Sequence, residues 1–204
     1  MRINKPSCFR VLVLFLTFFS ILQVVRGQSG VDEWTFSETP HGLRTVYMDR
    51  KGLVNNQPCV VRVAFISSAT DKANVRGPIR LNLTIGGVSG LKGFAFDDFE
   101  GPDAEIGNKE LMNIHLDSYK DKVRVGSMNY KTSLSGWYSQ DLKDGFTFSP
   151  NANKKNDNNL KLLVERIMEN NGTLIITIFD NNSSNKISPF FPLFGIHKFF
   201  QRLF

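Results

Sequence analysis

The clearest pattern along the chain is the alternation over Ile79–Ile85 (IRLNLTI), where Ile79, Leu81, Leu83 and Ile85 face one way and Arg80, Asn82 and Thr84 the other. Apolar residues at period two mark a half-buried strand. Similar runs predict strands at Leu43–Met48, after the turn-forming Pro40, His41 and Gly42, and at Cys59–Ile66, behind the turn-forming Asn55–Pro58. Leu111–Leu116, Lys122–Tyr130 and the short Phe146–Phe148 read the same way, and Lys92–Asp97 is a further candidate. Thr173–Phe179 (TLIITIF) is the strongest strand signal, because almost every residue is β-branched or aromatic and fits a pleated surface.

The period changes near the C-terminus. Residues 149–159 are polar and turn-rich and predict an exposed loop. Leu160, Leu163, Val164, Ile167 and Met168 then recur at helical spacing. Asn158 or Asn159 is the expected N-cap, and Gly172 the expected left-handed end. Leu193, Ile196, Phe200 and Leu203 fall on one side of a short helix. Phe190, Phe191, Phe194, Phe199, Phe200 and Phe204 crowd the same tail and are expected mainly in the core, with an exposed partner-binding patch as the alternative. The fold class that follows is mainly β, an antiparallel sheet or sandwich with one middle helix and a short C-terminal amphipathic helix. No internal repeat or long linker divides it.

The first 27 residues have a different character. Arg2, Lys5 and Arg10 precede 15 uncharged residues, 11–25, and Val25 and Gly27 are small enough for a peptidase cutting after Gly27. This is the pattern of a secretory signal peptide, since a spanning helix needs about 20 apolar residues. The expected working unit is therefore one β-rich exported domain, residues 28–204, periplasmic or secreted, with no stable membrane span after cleavage.

That reading alters the charge. The chain has 25 basic and 19 acidic residues, or +6. Four of the basic ones (Arg2, Lys5, Arg10, Arg26) and none of the acidic ones lie in the leader, which leaves 21 against 19, or +2. A near-neutral domain does not argue for nucleic acid, which needs a clustered basic face, and no nucleic-acid partner is expected. Cleavage also removes Cys8 and leaves Cys59 as the one cysteine, so no intrachain disulfide forms. Cys59 opens an apolar run and is expected as a small buried hydrophobe, with a reactive or intermolecular thiol as the alternative.

Catalytic and metal-binding patterns are missing. His41, His115 and His197 share no metal-ligand spacing, and the chain holds no nucleophile elbow, phosphate loop or dinucleotide-binding glycine pattern. No catalytic residue, cofactor or metal site is predicted. The densest charge feature is the acidic stretch 97–105, with Asp97, Asp98, Glu100, Asp103 and Glu105. It lacks the spacing of a calcium loop and reads first as a solvated segment. Two of its carboxylates held about 5–9 Å apart in a cleft would instead suit glycoside hydrolysis.

One block resembles a known family. A helix leading into TLIITIF, a polar break, and then Phe191, Leu193, Gly195 and Phe200 in the pattern Phe-x-Leu-x-Gly-x-x-x-x-Phe are similar to the end of small periplasmic proteins of the alphaproteobacterial invasion-associated locus B type. Trp34, early in the mature chain, fits the same likeness. The family pattern also carries paired cysteines, which this mature chain lacks. The resemblance implies a β-rich envelope or host-interaction protein and supplies no catalytic residue. The functional expectation is a non-catalytic binding protein acting on a protein or envelope partner. The alternative is an exported hydrolase working through the carboxylates of the 97–105 stretch.

Overall fold

Eleven strands and two helices are present in a computed structural model that describes residues 33–69, 77–101, 109–182 and 184–204. The predicted signal peptide and the Asp103 and Glu105 carboxylates lie outside the described residues. The protein is mainly β. A six-stranded antiparallel sheet has the order β1-β2-β3-β4-β8-β7, built from β1 (Trp34–Glu38), β2 (Arg44–Val54), β3 (Gln57–Ser67), β4 (Arg80–Gly86), β7 (Leu134–Ser139) and β8 (Gly145–Pro150). A five-stranded antiparallel sheet joins β6 (Val123–Thr132), β5 (Met112–Lys120) and β9 (Asn171–Phe179). Its far edge is shared by β10 (Lys186–Ile187) and β11 (Phe190–Pro192), both paired with β9.

Alternation determines what each sheet buries. Register aligns Val46, Phe65 and Leu81 across the first sheet, and Met48, Val63, Leu83 and Phe148 beside them. All of these are buried. In the second sheet, Met112, Ile114 and Leu116 lie opposite Ile178, Ile176 and Leu174. The two sets belong to one continuous apolar cluster. Helix α1 (Lys154–Glu169) adds Leu160, Leu163, Val164 and Ile167, the stripe expected from helical spacing. Helix α2 (His197–Phe200), extended by a 3-10 turn over Gln201–Leu203, inserts Phe200 edge-on against Phe65 at 4.8 Å.

Several elements differ from expectation, each for a local reason. Lys92–Asp97 is not a strand: Gly93 turns the backbone at φ +82°, a 3-10 turn begins at Phe96, and Phe94, Phe96 and Phe99 fold inward onto Phe146 and Phe148. Helix α1 starts within the segment expected as loop, because Asn153, not Asn158 or Asn159, caps it by accepting from the Asn156 backbone N–H at 2.9 Å. Its first turn is polar and carries no hydrophobic period. Gly172 does not end the helix in a left-handed conformation; it lies in β9, where a Cβ would collide with the Asp117 carbonyl oxygen of the neighbouring strand. The crowd of tail phenylalanines divides: Phe191 and Phe200 are buried, while Phe190, Phe194 and Phe204 are exposed. Among the described residues, no helix is long and apolar enough to cross a membrane.

Candidate functional site

With the apolar sets turned inward, the outer faces carry the chemistry. On the six-stranded sheet, one outer row runs across five strands in register: Asp49, Arg62, Thr84, Thr147 and Trp137. Most of it satisfies itself. Arg62 donates to both oxygens of Asp49, from Nε at 2.6 Å and Nη2 at 2.8 Å, a bidentate match of guanidinium to carboxylate. The same guanidinium covers the Tyr47 ring at 4.3 Å and donates to the Asp141 carbonyl at 3.3 Å. Burial disfavours its charge, but the hydrogen bond and charge of Asp49 outweigh that and hold Arg62 above its ordinary pKa. Thr84 and Thr147, both buried, share a hydrogen bond of 2.7 Å.

Trp137 ends the row and is different. It remains 40% exposed and forms a wall of a cleft of about 490 Å³ between the β4, β7 and β8 ends and the start of α1. Pro78, Ile79 and Pro150 supply further apolar wall. Ser135, beside Trp137 on the same face, joins Arg80, Asn151, Asn156 and Asp157 as the polar lining. Asn156 is buried and is held by donating from Nδ2 to the Asn151 carbonyl at 2.7 Å. The Arg80, Ser135 and Asp157 side chains have no hydrogen-bond or ion-pair partner among the described residues. Nothing in the linear sequence marks this cleft, although Ser135 and Trp137 alternate with the inward-facing Leu134 and Gly136.

A second polar group lies on the outer face of the five-stranded sheet. His115 and Asp117 point outward from β5, with His115 Nε2 at 3.3 Å from Asp117 Oδ2. Arg124 joins them, Nη2 to Asp117 Oδ1 at 2.6 Å, because of a register shift in the β5–β6 pair. Without the bulge, Arg124 would keep step with Met128 and Tyr130, which pack on the core; one extra residue turns it to the opposite face. Desolvation pushes the Asp117 carboxyl up, but the hydrogen bonds and charges of Arg124 and His115 more than reverse this and hold it below its ordinary value.

Three carboxylates of the acidic stretch, Asp97, Asp98 and Glu100, are among the described residues, and each has a different neighbour. Asp97 Oδ1 accepts from the Tyr138 hydroxyl at 2.5 Å, and that bond pushes the phenol pKa up to about 12. Asp98 accepts instead from Asn182 Nδ2 at 2.9 Å, and Glu100 bridges to Gly136 by its backbone. None of the three lines the Trp137 cleft. The three histidines also stay apart: His41 lies in an exposed turn, and His197 meets the Asn171 side-chain oxygen at 3.0 Å. Among the described residues, no group of three His, Cys, Asp or Glu side chains is placed to hold a metal ion. Cys59 is buried, and desolvation raises its thiol pKa, so it lacks the thiolate character of a reactive cysteine. Compared with known proteins, the chain matches no family model, no curated protein and no solved structure.

Proposed function

We propose that this chain is an exported, non-catalytic binding protein of the envelope or host-contact kind, and that it takes a small ligand into the cleft beside Trp137. One observation carries the reading: a large aromatic side chain stands exposed in a concave site whose polar groups Arg80, Ser135 and Asp157 are unpaired among the described residues. Concave sites lined by apolar surface and a few convergent polar groups are the usual places for ligands. Catalysis has less support. Hydrolysis of a glycosidic bond uses two carboxyl groups about 5–9 Å apart, and Asp157 is the single carboxylate lining the cleft among the described residues.

Export is tested by N-terminal sequencing of the mature protein, which should begin at Gln28; retention of the leader in a membrane-bound product contradicts it. Binding is tested by melting curves in the presence of neutral sugars, inorganic phosphate or laurate, because a ligand of the native state raises the midpoint by mass action. One class should raise the midpoint of the parent and leave Trp137→Ala unmoved. Equal shifts in both proteins would put the ligand elsewhere.

A further inference from the structure

We infer that the ligand of the Trp137 cleft is a neutral saccharide of one or two units; this rests on the cleft being the binding site. A pyranose ring has an apolar face of C–H groups and a rim of hydroxyls that both donate and accept. The cleft has the complementary parts. The exposed indole of Trp137 offers an apolar stacking face, and Ile79 and Pro150 add apolar surface elsewhere in the lining. Around it stand a donor only (Arg80), an acceptor only (Asp157), and groups that do both (Ser135 and Asn151). A volume of about 490 Å³ falls among small-molecule sites.

Charge decides between ligand classes. Arg80 and Asp157 are the two charged residues of the lining and cancel. The start of α1 also borders the cleft, and a helix N-terminus carries roughly half a positive charge that attracts anions. Here that pull is weakened: Asn153 accepts from the Asn156 N–H at 2.9 Å, Asp157 stands in the first turn, and the two lysines of that turn, Lys154 and Lys155, are not in the cleft lining, Lys155 being paired with Glu110 at 2.7 Å. A phosphate or carboxylate would therefore meet Asp157 with little positive field left over. A wholly apolar ligand would strip water from Arg80 and Asp157 and give nothing back. A neutral polyol with one apolar face stacks on Trp137 and supplies hydroxyls to both.

The test is a calorimetric and fluorescence titration of the mature chain with cellobiose, maltose and chitobiose, with inorganic phosphate and laurate as contrasting probes. The chain has two tryptophans. Trp34 is buried and donates from Nε1 to the Pro192 carbonyl at 2.8 Å, so an emission change reports Trp137. At least one disaccharide should bind. Trp137→Ala should weaken it by about ten- to a hundredfold, the equivalent of losing one buried aromatic face. Trp137→Phe, which keeps a stacking surface, should weaken it less, and Arg80→Gln should also lower affinity. Phosphate or laurate binding without any sugar binding overturns the saccharide inference and leaves the cleft as a site. Sugar binding that ignores both Trp137→Ala and Arg80→Gln overturns it too. Release of monosaccharide leaves the saccharide site standing and overturns the non-catalytic reading. Binding of none of the probes overturns both.

Discussion

The C-terminal tail and the Trp137 cleft are both built around aromatic side chains, yet one closes the core and the other stays open. In the tail, Ile196, Phe200 and Leu203 are all 0% exposed. The segment is tied down from several sides: Trp34 donates to the Pro192 carbonyl, Arg44 donates to the Phe204 carbonyl at 3.0 Å, and the Arg202 guanidinium lies 3.6 Å over the Phe36 ring. Along the row that Trp137 ends, Asp49 and Arg62 satisfy each other, as do Thr84 and Thr147, and the indole is left 40% exposed. Aromatic content alone does not separate a packing element from a binding surface. The separating facts are which face of the strand or helix carries the ring, and whether the polar groups beside it already have partners.

The comparison breaks most sharply at Phe200. Truncating a fully buried phenylalanine costs about 3–5 kcal/mol, a large share of a typical total of roughly 5–15 kcal/mol. Phe200→Ala should therefore lower the melting midpoint clearly; an unchanged midpoint would make the tail a docking helix instead of a core element. Gly172→Ala comes next. Its Cβ has backbone in its way, not a flexible side chain, so β9 must separate from β5. Overpacking of this sort typically costs about 1–3 kcal/mol, and amide exchange should accelerate in β5 and β9 before other strands.

Arg62→Ala tests whether the outer row is structural. It leaves Asp49, with a side chain 12% exposed, without its bidentate partner. The expected loss is about 1–3 kcal/mol, the cost of an unsatisfied buried polar group, read from denaturant melts. No change would mean that the row is free to bind ligand itself. The smallest expected effect is at Asp117. Its folded pKa lies below the unfolded value, so its contribution is present above about pH 4 and is lost as pH falls through the folded pKa. Asp117→Asn should flatten the acid side of the stability profile; a steeper acid side would contradict the His115–Asp117–Arg124 arrangement.

How much of this was legible depends on whether the signal is local. The alternation of Ile79–Ile85, the density of Thr173–Phe179 and the stripe from Leu160 to Ile167 each lie within a few residues, and all three elements are present. Strand β7 was not predicted, because Leu134, Ser135, Gly136 and Trp137 mix small, polar and aromatic residues. Its Gly136 is needed because a Cβ there would strike the Phe146 ring of the paired strand, a contact invisible without the pairing. The candidate site is less legible still. Its outer row takes residues 49, 62, 84, 147 and 137 from five strands, and only the register brings them into line. Arg124 reaches Asp117 through a one-residue bulge that no composition or period announces. In the acidic stretch, adjacent in sequence, Asp97 and Asp98 take different partners, Tyr138 and Asn182, which the charge pattern does not announce.

The central claim is that Trp137 faces a ligand while Trp34 serves the fold. An amide and indole N–H spectrum recorded during titration of the protein with a neutral disaccharide tests it most directly. The Trp137 indole resonance should move together with the Ser135 and Asp157 amides, while the Trp34 indole, bonded to the Pro192 carbonyl, keeps its position. A spectrum in which Trp137 stays fixed while other regions shift, or in which nothing moves at all, would contradict the account.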